Sequence, residues 1–203
     1  MVNKSVGITK VNWLLNLIEI FGLKDVILSF VKYDSPILKD MLDTLKKQTV
    51  SPGRKGYEYK FIFNNLRYTI GVGGIHSVND PEIIIPKEDE YLIDCDVASL
   101  YPSMLIQHKF YPKHLGPEFL EIYSKIREER LEAKHNGDKV KNETLKFALN
   151  GLSGNLQNEH NLCYSPFAVM QIRVNGQLLL LMLAEKLVEI GCKIIQANTD
   201  GLF

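Results

Sequence analysis

Apolar positions recur at helical spacing near the start of the chain. Val11, Leu14, Leu15, Ile18 and Phe21 share one face, and Gly22 is placed to end that helix. Ser35-Pro36 reads as an N-cap with proline at the first helical position, ahead of Ile37, Leu38, Met41, Leu42 and Leu45. Gln48 to Gly56, with Pro52, Gly53 and Lys55, is a loop or linker, and the lone Trp13 is a core candidate. The period then shortens to two. Tyr57, Tyr59, Phe61 and Phe63 alternate, Asn64-Asn65 offer a turn, and Leu66, Tyr68, Ile70 and Val72 alternate back, which predicts a β-hairpin. Glu90 to Val97 predicts a further strand with Asp94 and Asp96 on one face.

Helical spacing returns at Glu118 to Lys134, with Phe119, Ile122 and Ile126 as its apolar stripe. At about 100° per residue, Arg127, Arg130 and Lys134 gather along one flank. Glu128, Glu129 and Glu132 interleave with them, so a solvated face laced by i,i+4 charge pairs accounts for the same pattern. Asn136-Gly137-Asp138 breaks the helix, and about Asn142 to Leu152 returns as the second arm of a helical hairpin. On that arm Lys146, Asn150 and Ser153 share one side, while Leu145, Leu149 and Leu152 share another. Gly151 and Gly154 lower its helix propensity and leave room for a planar ring or a backbone. Ser165-Pro166 opens a long helix, leucine-rich from Leu178 and stopped by Gly191, whose simplest role is core packing. A strand from Lys193 to Ala197 leads to a turn at Thr199-Asp200-Gly201, with only Leu202 and Phe203 left as a return arm. The pattern therefore predicts unpaired backbone at that hairpin and a sheet cut short.

Composition narrows the class without reaching a function. The 203 residues suit one large domain, or one and part of another. Apolar residues at 45% and charged residues at 24% fit a soluble globular chain. Basic and acidic side chains balance at 24 each, so any nucleic-acid binding must come from local basic patches. Cys95, Cys163 and Cys192 form no C-x-x-C pair and fit reduced thiols better than a disulfide frame or zinc site. The longest apolar run, Leu178 to Ala184, is too short to span a bilayer, and no cleavable leader opens the chain. A cytoplasmic location without membrane association is the expectation.

Candidate chemistry lies where strands end. Asp96 and Asp200 each stand at the end of a predicted strand, and a helix bearing Lys146 and Asn150 lies between them. Two carboxylates that meet on folding, with a basic helix, can hold Mg²⁺ and a triphosphate together. Asp94 and Asp96 on one strand face also suggest a cation or an exposed cleft, because an unpaired buried carboxylate is costly. Gly73-Gly74 would let a backbone pass close to a nucleic-acid strand, and a tight turn accounts for them equally well. His76 beside them reads as a satisfied polar residue.

From about Tyr57 to Phe203 the chain resembles the palm and fingers of a family B DNA polymerase, most like those of phages and related mobile elements. The first family motif, D-x-x-S-L-Y-P-S, is matched at every fixed position from Asp96 to Ser103. The second, K-x-x-x-N-S-x-Y-G, is matched at Lys146, Asn150 and Gly154, with Gly151 in place of serine and Ser153 in place of tyrosine. The third, D-T-D-S, is matched at Thr199 and Asp200, with Asn198 and Gly201 as departures. The resemblance implies an α/β (α+β) fold, with an antiparallel palm sheet flanked by helices and a helical hairpin as fingers. Residues 1–56 would be a helical segment and linker, at most the tail of an upstream exonuclease domain. Residues 57–117 would be the first part of the palm, 118–155 the fingers, and 156–203 a second, incomplete part of the palm.

The same resemblance implies roles. Asp96 and Asp200, with the Val97 carbonyl, would bind two Mg²⁺ ions (or Mn²⁺) about 3.5–4 Å apart. Backbone N–H groups of Ser99 and Leu100 would hold triphosphate oxygens, and Tyr101 would sit under the deoxyribose to exclude a 2′-hydroxyl. Arg130, Lys146 and Lys134 would neutralise the phosphates, and Asn150 would face the incoming base and sugar. Partners would be primer–template DNA, dNTPs and a missing C-terminal palm and thumb portion. The departures at Gly151 and Ser153 enlarge the nucleotide pocket and imply weaker mismatch rejection. Two alternatives stand beside this: a metal-dependent nuclease using Asp94, Asp96 and Asp200, and a catalytically incomplete fragment that binds primed DNA without chemistry.

Overall fold

Six antiparallel strands form the main sheet of the computed structural model, which describes residues 21–50 and 57–203. In chain order they are β3 (Glu58–Phe63), β4 (Leu66–Gly71), β5 (Ile75–Val78), β6 (Cys95–Asp96), β7 (Ala197–Asn198) and β8 (Gly201–Leu202), arranged β3-β4-β5-β7-β8-β6. A two-stranded ribbon joins β1 (Phe21–Gly22) to β2 (Thr49–Val50). The helices are α1 (Leu23–Val26), α2 (Pro36–Lys46), α3 (Leu100–Gln107), α4 (Glu118–His135), α5 (Lys139–Asn155) and α6 (Pro166–Glu189), with a 3-10 turn at Lys113–Leu115. This is the mixed architecture expected, an antiparallel sheet flanked by helices.

The β3–β4 hairpin forms in the predicted register, Phe63 opposite Leu66 and Tyr59 opposite Ile70. Asn64 and Asn65 take positive φ of 48° and 63°, the left-handed pair that suits a tight hairpin turn. Alternation buries Phe61, Phe63, Leu66, Tyr68 and Ile70 on one face. On α2, Pro36 occupies the first turn and Leu38, Met41, Leu42 and Leu45 are buried, as predicted, although the Ser35 side chain makes no capping bond. The buried Glu185 carboxylate serves that helix end instead, accepting from Asp34 N (3.0 Å) and Ser35 N (2.7 Å).

Several expectations are corrected. Phe21 and Gly22 are strand rather than the end of a helix, because they pair with Val50 and Thr49. The rest of that predicted helix, with Trp13, lies outside the described residues, as do Pro52, Gly53 and Lys55 of the predicted linker. Of the strand predicted over Glu90 to Val97, only Cys95 and Asp96 pair, since β8 offers just two residues as partners. The strand predicted over Lys193 to Ala197 is regular only at Ala197–Asn198. The hairpin beyond it turns at Thr199-Asp200, and its short return arm is not unpaired: β8 lies between β7 and β6. On α4 Ile122 is exposed, and Phe119, Tyr123 and Ala133 are the buried residues. Tyr123 rather than Ile122 faces α5, donating to the Leu149 carbonyl at 2.9 Å.

Helix α6 is shared by two apolar clusters. One joins Val174, Leu178, Leu181 and Ala184 to the sheet, α1 and α2, and the other joins Ala168, Val169 and Ile172 to α3, α4 and α5. The helix is long and apolar enough to cross a membrane by composition, but 67% of its most apolar stretch is buried inside the fold. Three polar side chains on it are also buried. Asn175 accepts from Leu28 N and donates to Val26 O, Gln177 exchanges two hydrogen bonds with the Gly71 backbone, and Glu185 holds the start of α2. Replacing Asn175 by leucine keeps the volume but strands Leu28 N and Val26 O away from water. Asn175→Leu should destabilise the fold by about 3 kcal/mol, read as a lower urea midpoint with an unchanged m-value.

Candidate functional site

The site grows from one register. Asp96 pairs with Gly201 across β6–β8, and Val97 N donates to Asp200 O at 2.8 Å. Two aspartates far apart in sequence therefore meet on neighbouring strand ends. Gly201 is small where smallness is needed: a Cβ there would lie 3.3 Å from the Cys95 carbonyl and 3.4 Å from Asp96 Oδ1. On the next hairpin Gly74, at φ 144°, brings its backbone against Thr199, and a Cβ would sit 3.3 Å from Thr199 Oγ1. The tight-turn account of Gly74 thus has a packing cause, while Gly73 has open space around it. His76 Nδ1 lies 3.2 Å from Asn198 Oδ1, so the asparagine at the departure from the third motif has a partner on β5.

After Asp96 the chain turns sharply into α3. Ser99 takes the left-handed conformation (φ 55°, ψ 52°), uncommon for a residue with a β-carbon, and its Oγ accepts from Arg130 Nη1. That bond ties α4 to the turn carrying the first motif. A cleft of about 680 Å³ opens here, lined by Asp96 to Pro102, by Arg127, Arg130 and Lys134 of α4, by Lys146, Asn150, Ser153 and Gly154 of α5, by Arg173 of α6, and by Thr199 and Asp200. Gathering of Arg127, Arg130 and Lys134 on one flank, read from spacing alone, is what the helix presents.

The electrostatics are those of an anion and cation site together. Five cationic side chains face two carboxylates in the lining. Arg127 and Arg130 each keep a buried Nε without a hydrogen-bond partner. Burial holds the Asp200 carboxyl above the usual carboxylate range, and the charge of Asp96 raises it further. Burial also raises the Tyr101 phenol, with Arg173 opposing and Asp200 adding to the shift. Two crowded carboxylates of hard oxygen suit a divalent cation such as Mg²⁺, which would relieve their repulsion.

Not every candidate belongs to this cleft. Asp94 is exposed and outside the lining, so the carboxylate trio of a nuclease is not assembled. Gly73, Gly74 and Gly151 also lie outside its lining, and a Cβ at Gly151 would meet open space. Ser153 does line the cleft, but it is buried, donating to Asn150 O at 2.8 Å beside the Tyr123 phenol. Arg173 was not anticipated, although it is the single charged residue between Pro166 and Ala184, a signal in itself. Elsewhere Asp34, Glu185 and Glu189 offer carboxylate oxygens within 4.8 Å of one another. Lys186 bridges Asp34 and Glu189 at 2.9 and 2.8 Å, and Glu185 is spent on backbone N–H groups, so the cluster is internally satisfied.

The crowding has a measurable consequence. A raised carboxyl pKa is a penalty on the folded state, full above the raised pKa and lost as pH falls into the ordinary carboxylate range. Asp200→Asn should therefore melt at a higher temperature than the parent at pH 7 in EDTA, with the difference shrinking as the solution is acidified. Adding Mg²⁺ should raise the melting temperature of the parent more than that of the variant. A variant no more stable than the parent at neutral pH would mean that the carboxylates do not crowd.

No family model, curated protein or solved structure matches the chain.

Proposed function

We propose that the chain is the palm and fingers portion of a template-directed DNA polymerase of the family B type. The observation that carries this reading is the single cleft in which the three motif segments converge, Asp96 to Pro102, Lys146 with Asn150 and Gly154, and Thr199-Asp200. The reaction is attack of a primer 3′-oxygen on the α-phosphorus of a dNTP, with the new phosphodiester formed as pyrophosphate leaves.

Asp96 and Asp200, with the Val97 carbonyl, would hold Mg²⁺, or Mn²⁺ in its place. Bound there, the metal supplies Lewis-acid polarisation of the phosphoryl oxygens and eases deprotonation of the 3′-hydroxyl. The chain's own groups do the positioning. Arg130, Lys134 and Lys146, joined by Arg127, line the cleft from the helical hairpin and neutralise the triphosphate. Ser99 and Leu100 at the start of α3 offer backbone N–H groups, as helix starts do. Tyr101 lines the cleft with Asp200, whose charge adds to burial in raising its phenol pKa, in keeping with a neutral ring beneath the sugar of a reacting nucleotide. Asn150 faces the base and sugar from the same α5 face as Lys146. Gly73 and Gly74, on the hairpin that abuts Thr199, are candidates for contact with the DNA strand.

On this reading the partners are primer–template DNA, dNTPs and a C-terminal palm and thumb portion that would complete the grip on the duplex. The site of action is the cytoplasm, that of a host cell if the chain is phage-encoded. Extension of a labelled primer by one nucleotide with Mn²⁺ and dNTPs tests the reading. Asp96→Asn should reduce extension by at least about a hundredfold, the scale on which one electrostatic stabiliser of a transition state acts. Lys146→Ala should raise the dNTP KM about tenfold while primer–template binding is kept. Extension that persists in Asp96→Asn, or that needs no dNTP, would overturn the assignment.

A further inference from the structure

The cations of the cleft fall into two banks. Arg127, Arg130, Lys134 and Lys146 stand on the α4–α5 hairpin, whereas Arg173 stands alone on α6, lining the same cleft as Asp96 and Asp200 and opposing by its charge the rise that burial gives the Tyr101 phenol pKa. Arg173 is half-buried and forms no ion pair with Asp96 or Asp200 among the described residues. Its Nη2 instead donates to Gln157 Oε1 at 2.6 Å. Gln157 lies just past the C-terminal end of α5, eleven residues beyond Lys146 in sequence. At about 1.5 Å per residue, the last residue of α5, Asn155, stands roughly 14 Å along the helix from Lys146, so the guanidinium is tied to the end of α5 away from the lysine. A triphosphate held by Arg130 and Lys146 therefore lies away from that end, and Arg173 serves whatever lies beside it.

We propose that Arg173 grips a backbone phosphate of primer–template DNA at the growing primer end, separately from the basic residues that face the triphosphate. The inference rests on the polymerase reading. Its chemistry follows from the surroundings. A DNA phosphate brought next to Asp96 and Asp200 is repelled by both carboxylates, and Arg173 is the cation on that bank able to offset the repulsion. With one nitrogen committed to Gln157, the remaining N–H donors of the planar fork are pre-oriented, and a donor-only fork matches phosphate oxygens. A guanidinium that served only to neutralise the carboxylates would be paired with them.

The test is equilibrium binding of the full chain to a fluorescein-labelled primer–template duplex with a 5′ overhang, without nucleotide, between about 50 and 200 mM salt. Arg173→Gln should bind roughly tenfold more weakly, equally for unrelated duplex sequences, with a log–log salt slope shallower by about one. Arg173→Lys should retain the slope while losing part of the affinity, because it keeps the charge without the fork. Thermal melts of both variants check that the fold is intact. Unchanged affinity and slope in a folded Arg173→Gln overturn the proposal, as does a variant whose defect appears only in the dNTP KM. If the unsubstituted chain binds no duplex even at the lowest salt, the proposal for Arg173 fails, and primer extension decides whether the polymerase reading fails with it. If the chain binds and Arg173→Gln binds equally well, only the role of Arg173 fails.

Discussion

The structure depends on polar side chains buried along a single apolar helix. Asn175, Gln177 and Glu185 of α6 are each nearly inaccessible, and each is satisfied by backbone far away in sequence, at residues 26–28, 71 and 34–35. Apolar contacts alone would let α6 rotate or slide against its neighbours, since burial is not directional. The amide and carboxylate bonds remove that freedom, because a shift of one residue would leave several buried groups unpaired. They also draw residues 21–50 into the same core as the sheet, rather than leaving them as a separate appendage.

With α6 held in place, the candidate site follows. The same helix carries Val169, Ile172 and Arg173 into the cleft, and its N-terminal half forms the second core with α3 and the α4–α5 hairpin. The hairpin is in turn fixed by the Tyr123–Leu149 bond and by Arg130 on Ser99. The result is a wall of cations facing two strand ends that carry carboxylates. Neither group is neutralised by the other, and that separation makes the cleft suited to a ligand with both anionic and metal-binding parts. Zero net charge over the whole chain conceals this local division.

Much of this was legible beforehand where local physics dominates. The β3–β4 hairpin could be read because alternation and an Asn-Asn turn agree, and α4, α5 and α6 because their breaks are sharp at Asn136-Gly137-Asp138, Ser165-Pro166 and Gly191. The charged flank of α4 was legible from a 3.6-residue period. Short strands were not. β6, β7 and β8 are two residues each, too brief for any periodicity, and they exist because partners from distant segments complete their hydrogen bonds. Ile122 was misassigned because the position facing α5 depends on which neighbour the helix meets, and that neighbour is a tertiary matter.

The sequence by itself determined the helices α2, α4, α5 and α6, the β3–β4 hairpin and the residue types available for chemistry, since these rest on spacing, turn residues and side-chain chemistry within a few positions. Tertiary structure decided which of them share a cleft. Asp96 meets Asp200 only through the β6–β8 register, Asp94 is left outside it, and Arg173 shares a cleft with Tyr101 only because α6 packs against α3. Such pairings rest on hydrogen bonds and burial between segments far apart along the chain, and no local pattern encodes those distances.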